Sequence, residues 1–313
     1  MNQKSLKGNY PILPTAFNES EDFDEASQRN LIDYIIQSGA HGVVTLANAS
    51  EGFSLSDEEK KKVASTVINH VNGRVPVVVT ISHPSTRIIM ENAKWAESIG
   101  ADALLALPPF YGSWTANAEE NYRHFSKLSD ATTLPLIIQD HPLSGGGLTT
   151  SLLVRLAREL EQVQYFKIEC ARAALKIRDV LQQAGNSLKG IFGGAAGITF
   201  IEELDQGACG TMPSSSFPEA FSQIYNAYAE GNREESCRIF TRHAQLIAFE
   251  WELGGRHVAK QLLYEKGIIQ SPTLRSPIGS GWDEKLYDHL MSMVQKSDLC
   301  VAASLQESVQ KYF

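Results

Sequence analysis

The chain has 313 residues, enough for one large α/β barrel with an extension or for two domains. It carries 28 Lys and Arg against 36 Asp and Glu, a net charge of −8 with no dense basic patch, so nucleic acid and anionic membranes are not expected as partners. Four scattered cysteines and the lack of an apolar run of roughly 18 residues argue against a disulfide framework and a transmembrane helix, and favour a cytoplasmic protein.

In chain order, the first signals are connections at which a predicted helix ends and a strand begins. A Gly-Ala pair occurs at residues 39–40, 100–101 and 207–208, each time just ahead of a short apolar run. The glycine suits the left-handed end of a helix, and the apolar run suits a buried strand. Ser56 followed by Glu59 predicts a capping box at the start of another helix. A helix-to-strand joint therefore repeats along the chain.

Short apolar runs predict eight strands, and amphipathic segments between them predict helices. Nearly continuous apolar strands are typical of a parallel sheet that is covered on both faces. Their alternation with helices over about 230 residues predicts a (β/α)8 TIM barrel of the α/β class. A doubly wound sheet is the alternative, but no Gly-x-Gly-x-x-Gly follows an early strand. The predicted strands are residues 11–16, 43–46, 75–81, 104–107, 134–139, 163–168, 188–192 and 211–212.

From residue 217 onward the pattern becomes wholly helical. We interpret the first of these helices as the last barrel helix and the rest as a C-terminal helical extension. The expected division is a barrel over residues 1–230 and an extension over residues 231–313. The predicted helices are residues 218–230, 232–253, 257–266 and 283–296.

The loops at the carboxyl ends of the strands carry the functional signal, because barrels of this type have their active sites there. These loops are rich in hydroxyls, amides and glycines and poor in cations, which suits a small polyhydroxylated substrate with one carboxylate. The glycine loop at residues 193–197 is either an ordinary turn or a set of N–H groups for that carboxylate. The candidate substrate-binding residues are Asn48, Ala49, Ser50, Gln139, Gly193, Gly194 and Ser214.

A metal site is the rival interpretation of the same loops. Glu51, His83, Asp140 and His141 carry ligand-type side chains, but they lie on different loops without the close spacing that is typical of metal sites. We therefore expect no metal and no cofactor. The two histidines are interpreted as polar loop residues or substrate contacts.

The most specific signal is Lys167, the charged residue within the predicted strand 163–168. Because a strand alternates its side chains between two faces, Lys167 and Glu169 point the same way. Either the two form a structural ion pair, or the amine forms an imine with a carbonyl substrate while the carboxylate moves protons. An apolar barrel mouth would favour the uncharged amine that this attack requires. Tyr111 is either an ordinary loop aromatic or a further catalytic group that relays protons.

Nearly the whole chain resembles the dihydrodipicolinate synthase and N-acetylneuraminate lyase superfamily. The opening segment 11–17, Pro108-Pro109-Phe110-Tyr111 and the C-terminal segments 258–269 and 274–277 resemble the family pattern. The resemblance implies that Lys167 is a Schiff-base lysine and that the substrate is a small-molecule 2-keto acid. It also implies that Tyr111 completes a neighbouring subunit's site in a homotetramer built as a dimer of dimers.

Departures from the family pattern indicate which branch of the family the chain resembles. Gln139-Asp140-His141-Pro142 stands where Tyr-Asn-x-Pro is usual, so the family's proton-shuttling tyrosine is absent, and Ser144 replaces an arginine of the dihydrodipicolinate synthases. Gln-Asp-x-Pro together with Lys-x-Glu instead resembles the L-2-keto-3-deoxyarabonate dehydratase branch. This implies a Schiff-base lyase that dehydrates that acid to 2,5-dioxopentanoate, with Glu169 as the base. An aldolase that releases pyruvate, a synthase-like condensation and a non-catalytic sugar-acid sensor remain alternatives.

Overall fold

A parallel sheet of eight strands forms the centre of the molecule, and the computed structural model describes residues 5–141, 147–278 and 282–297. The strands are β1 (Gly8–Asn9), β2 (Val43–Thr45), β3 (Val77–Thr80), β4 (Ala103–Ala106), β5 (Phe110–Tyr111), β6 (Trp114–Thr115), β7 (Leu136–Asp140), β8 (Val163–Ile168), β9 (Gly190–Gly193) and β10 (Gly210–Thr211). The sheet order is β1-β10-β9-β8-β7-β4-β3-β2, and all its pairs are parallel. Strands β5 and β6 form a separate antiparallel hairpin.

The sheet closes on itself through residues 10–13, which run between β10 and β2. The Ile12 N–H donates to the Pro213 carbonyl at 2.8 Å, and the Leu13 N–H donates to the Val44 carbonyl at 2.9 Å. Ile12 thus bridges the two ends of the sheet. The predicted (β/α)8 barrel is confirmed.

The first strand differs from its prediction. We expected residues 11–16, but the regular pairing is confined to Gly8–Asn9, with an isolated bridge at Ile12. Pro11 and Pro14 have no N–H to donate, so a continuous ladder cannot form along this segment.

Helices pack around the barrel and continue beyond it. The predicted capping box of α2 is confirmed, because the Ser56 and Glu59 side chains each accept the other's backbone N–H. In the described residues no helix is long and apolar enough to cross a membrane. The helices are α1 (Glu25–Gln37), α2 (Asp57–Val71), α3 (Thr86–Ser98), α4 (Ala118–Asp130), α5 (Thr150–Glu159), α6 (Ala173–Ala184), α7 (Phe200–Asp205), α8 (Pro218–Ala229), α9 (Arg233–Phe249), α10 (Gly255–Glu265) and α11 (Glu284–Lys296).

The C-terminal helices pack onto the barrel through a shared apolar cluster. This cluster contains Phe217 and Phe221, at the start of the last barrel helix α8, together with Leu246 of α9 and Leu290 of α11. The expected division at residues 230 and 231 falls in the turn between α8 and α9. Helix α9 does not run straight into α10: a π-helical turn, Glu250–Gly254, separates them. This turn faces the carboxyl ends of the strands, where it helps to build the site.

Candidate active site

Lys167 enters the barrel interior because β8 alternates its side chains. Tyr165 belongs to the apolar cluster inside the barrel, whereas Phe166 and Ile168 pack in the layer between sheet and helices. Lys167 therefore shares the interior face with Tyr165 and lies nearer the carboxyl end of the strand. Its side chain is 2% exposed, so the amine is withdrawn from bulk solvent.

Glu169 lies beside Lys167, as the alternation predicts. Its Oε1 is 3.0 Å from Lys167 Nζ and accepts the Ala195 N–H at 2.9 Å, while its Oε2 accepts from the Gln139 amide. Burial raises the pKa of Glu169, but Lys167, His141 and the Ala195 N–H outweigh burial and hold the pKa below its usual range. The side chain is therefore an ionised carboxylate in contact with the amine, as proton transfer between them requires.

The glycine loop at residues 193–197 is shaped around this carboxylate. A Cβ on Gly194 would lie 2.2 Å from Glu169 Oε1, so only a glycine permits the close approach. Ala195 and Ala196 have φ of 50° and 54°, a left-handed backbone that residues with a side chain rarely adopt. In this conformation the Ala195 N–H points at Glu169. The loop thus binds a carboxylate of the protein itself.

The neighbouring acid Asp140 points away from Lys167. Its Oδ2 lies 2.6 Å from Lys176 Nζ, and its Oδ1 accepts the Leu148 N–H at 2.7 Å. Asp140 therefore links β7 to α6 and to Leu148, which lies just before α5. Within the described part of the chain, no three His, Cys, Asp or Glu residues come together as metal ligands would.

His141 follows Asp140 and does face the cavity. Its Nε2 lies 3.8 Å from Glu169 Oε2, and burial lowers its pKa although Glu169 raises it. It is therefore a neutral imidazole near the Glu169 carboxylate at pH 7. Pro142 and Ser144, the other residues of this segment that were compared with the family pattern, lie outside the described residues.

A cavity of ≈ 210 Å³ at this end of the barrel gathers most of the candidate residues. Its walls combine an amine, a carboxylate, side-chain amides and a hydroxyl, which suits a small acid with several hydroxyl groups. The candidates that line it are Asn48, Ala49, Gln139, Lys167, Glu169 and Ser214.

Other candidates lie around the cavity without lining it. Ser50 shapes the loop after β2, because its hydroxyl accepts the Ala47 N–H at 3.1 Å. Gly193 is packed against Glu203, whose Oε2 would be 1.7 Å from a Cβ at this position. Tyr111 lies on the β5–β6 hairpin and is 79% exposed.

Sequence reasoning missed a wall of the cavity that comes from the C-terminal helices. Glu250, Trp251, Arg256 and Ala259 all line it. Arg256 Nε donates to the Asn48 carbonyl at 2.8 Å, which links this wall to the loop after β2. The available signal was the Gly254-Gly255 pair, which interrupts a helical pattern and marks a bend.

Comparisons with known proteins agree with this architecture. The dihydrodipicolinate synthetase family model matches residues 5–297. The L-2-keto-3-deoxyarabonate dehydratase of Azospirillum brasilense is 36% identical over 273 residues, covering 87% of this chain and 88% of that protein. The 4-hydroxy-tetrahydrodipicolinate synthase of Parabacteroides distasonis is 29% identical over 277 residues, covering 88% and 91%. The solved dihydrodipicolinate synthase of Rhodopseudomonas palustris superposes with a TM-score of 0.86 at 24% identity, covering 93% of this chain and 98% of that one.

The family and the relatives with which this chain shares the barrel are lyases, which supports an enzyme of the lyase class. The chain belongs to the dihydrodipicolinate synthetase family.

Proposed function

We propose that this chain is an imine-forming hydro-lyase that removes water from a 2-keto-3-deoxy sugar acid. The substrate we propose is L-2-keto-3-deoxyarabonate, and the product is 2,5-dioxopentanoate. The observation that carries the proposal is the contact of Lys167 with Glu169 at 3.0 Å inside the cavity. The likeness to the Azospirillum brasilense dehydratase supports the choice of substrate.

The reaction begins at Lys167. Glu169 takes a proton from the amine, which then attacks the C2 ketone of the substrate. The C2 oxygen takes one proton from the attached nitrogen and one back from Glu169, leaves as water, and a protonated imine remains. The protonated imine withdraws electrons and makes the C3 hydrogens acidic. Glu169 lies beside the imine nitrogen, so it is the group that removes a C3 proton.

Loss of the C4 hydroxyl follows from this proton removal. The electrons of the C3–H bond form a C3–C4 double bond, the C4–O bond breaks, and the hydroxyl takes up a proton and leaves as water. A C5 proton then moves to C3, and the resulting enol at C5 becomes the aldehyde. Hydrolysis of the imine releases the product and restores Lys167.

The substrate carboxylate is assigned to the side of the cavity formed by Asn48, Ala49 and Arg256. Arg256 carries a guanidinium on this wall, and a planar guanidinium matches a carboxylate in charge and geometry. Gln139 and Ser214 offer neutral hydrogen-bonding groups for the hydroxyls of the substrate.

Borohydride trapping with pyruvate tests the imine. Wild-type protein is expected to form one reduced adduct on Lys167, which peptide mass spectrometry locates. The Lys167→Ala variant should form none, whereas Lys189→Ala, which removes an exposed lysine beside the neighbouring strand β9, should react normally. An untrappable wild-type protein would indicate a sensor and overturn the proposal.

Product analysis separates the enzymatic alternatives. A panel of 2-keto-3-deoxy acids of different length and stereochemistry is incubated with the protein, and the products are identified by mass spectrometry. We expect L-2-keto-3-deoxyarabonate to lose water. Release of pyruvate with an aldehyde would identify an aldolase, whereas condensation of added pyruvate and aldehyde without cleavage of any acid in the panel would identify a synthase-like enzyme.

Tyr111 and the oligomeric state form a separate part of the proposal. Tyr111 and Trp114 face each other across the β5–β6 hairpin and are 79% and 49% exposed, which suits a subunit contact. We propose a homotetramer in which this hairpin reaches a neighbouring site. Light scattering should give the tetramer mass, and Tyr111→Phe should lower turnover more than Tyr264→Phe, which changes another exposed tyrosine.

A further inference from the structure

Glu250 is a buried carboxyl in the cavity that the mechanism above does not use. It begins the π-helical turn Glu250–Gly254 and is only 4% exposed. π-Helical turns are rare and often occur at functional sites, because they bulge a side chain out of the regular helical register. Here the turn brings Glu250 to the cavity lining, where it joins Lys167 and Glu169.

The immediate surroundings of Glu250 are hydroxyls. Its carboxyl forms hydrogen bonds with the side chains of Ser214 and Ser216, whose own Oγ atoms are 2.7 Å apart. The other ionisable groups lining the cavity are Lys167, Glu169, His141 and Arg256.

The pKa values of the two carboxyl groups of the cavity are shifted in opposite directions. Burial raises the pKa of Glu250 to about 7, with the Ser214 and Ser216 hydroxyls opposing the rise. The pKa of Glu169 is instead held low, because the amine of Lys167 and the Ala195 N–H counteract burial. Two titratable groups whose environments separate their proton affinities can serve as an acid and a base in one site.

We propose that Glu250 is the catalytic acid that protonates the departing C4 hydroxyl, with Ser214 and Ser216 holding its carboxyl in place. This inference rests on the proposed dehydration. It assigns the acid to a residue of the same chain, whereas the exposed Tyr111 would have to act from a neighbouring subunit.

The proton and electron balance of the step is complete. Glu169 receives the C3 proton, the C3–H electrons form the C3–C4 double bond, and the C4–O electrons stay on oxygen. That oxygen takes the proton of Glu250 and leaves as water. Glu169 is then protonated and Glu250 ionised, and exchange with solvent restores both before the next turnover.

The test compares Glu250→Gln with Glu252→Gln, a matched change at an exposed position of the same turn. Single-turnover dehydration of L-2-keto-3-deoxyarabonate should slow by roughly 100- to 10,000-fold in Glu250→Gln and remain unchanged in Glu252→Gln. Two steps do not need the acid: borohydride trapping with pyruvate, and deuterium exchange from D2O into the pyruvate methyl group. Glu250→Gln should keep both, which also establishes that its site is folded.

The pH profile gives a second measurement that needs no variant. The single-turnover rate of wild-type protein should fall as the pH rises through about 7, because ionised Glu250 has no proton to give. A wild-type rate that stays flat from about pH 6 to 9 would overturn the assignment. Glu250→Gln should lack this alkaline decline.

The outcomes separate the two proposals. Normal dehydration by Glu250→Gln overturns the role of Glu250 and leaves the proposed function intact. If wild-type protein traps pyruvate but dehydrates none of the 2-keto-3-deoxy acids, the proposed function fails. The assignment of Glu250 then fails with it, since no hydroxyl leaves.

Discussion

Lys260 Nζ lies 2.6 Å from Glu51 Oε1, and both side chains are almost completely buried. The Arg275 N–H donates to the other oxygen of Glu51 at 2.9 Å, and Lys260 donates to the Thr273 carbonyl at 2.6 Å. Burial lowers the pKa of Lys260 to about 8, although Glu51 raises it. This pair joins α10 to the loop that carries Asn48 and Ala49, so the C-terminal helices hold one wall of the cavity.

Breaking this pair should destabilise the protein strongly. Lys260→Met leaves Glu51 buried without its cation, and we expect a loss of about 3–5 kcal/mol in the free energy of unfolding, measured with urea. Lys60→Met removes a more exposed lysine 3.2 Å from Asp57 and should change the free energy by about 0–1 kcal/mol. Equal losses in the two variants would contradict the role assigned to the pair.

Removing the base should slow catalysis without preventing imine formation. Glu169→Gln keeps the shape of the side chain but cannot accept the C3 proton, so dehydration should fall by roughly 100- to 10,000-fold. Borohydride trapping with pyruvate should still label Lys167 in this variant, because water can carry the protons of imine formation and the adduct accumulates during the incubation. Glu161→Gln, an exposed change just before β8, is the control and should behave like wild type. Near-normal dehydration by Glu169→Gln would mean that another group is the base.

A side chain at Gly194 should displace the base. The added Cβ of Gly194→Ala would lie 2.2–2.5 Å from three atoms of Glu169, so the carboxylate must move away from Lys167. A displacement of about 1 Å can cost on the order of 100-fold in rate, and we expect a loss of that size in dehydration. Deuterium exchange into pyruvate should fall in parallel, while circular dichroism should report an intact fold. Full exchange activity would contradict the close approach.

The pair of Glu59 with Arg275 should make stability depend on acidic pH. Hydrogen bonds from Arg275 hold the pKa of Glu59 at about 2, against an ordinary value of 4.5. The folded protein therefore binds fewer protons here than the unfolded chain between pH 4.5 and 2. The stability that Glu59 contributes is complete above pH 4.5 and is lost as the pH falls to 2.

Urea unfolding at several pH values checks this dependence. Glu59→Gln should be less stable than wild type at pH 7, and the difference should shrink as the pH falls through the same window. Glu58→Gln, a change to an exposed side chain on the same helical turn, should show no such convergence. A difference that stays constant down to pH 2 would rule out this linkage.

Much of the fold could be predicted because its signals are local. The apolar runs and glycine joints identified the barrel strands within a few residues, and the capping box at Ser56 and Glu59 marked a helix start correctly. The prediction of the first strand at residues 11–16 was wrong. It rested on hydrophobicity alone, whereas Pro11 and Pro14 have no backbone N–H to donate to a strand ladder.

For the site, the sequence by itself determined that Lys167 and Glu169 face the same space, because alternation along a strand depends only on neighbouring residues. Only the tertiary structure decided that Glu250 and Arg256 form the opposite wall and that Glu51 pairs with Lys260. These residues lie far apart in the chain and meet through the packing of the C-terminal helices on the barrel. Contacts between residues so far apart follow no short repeat in the sequence, so they could not be predicted from it.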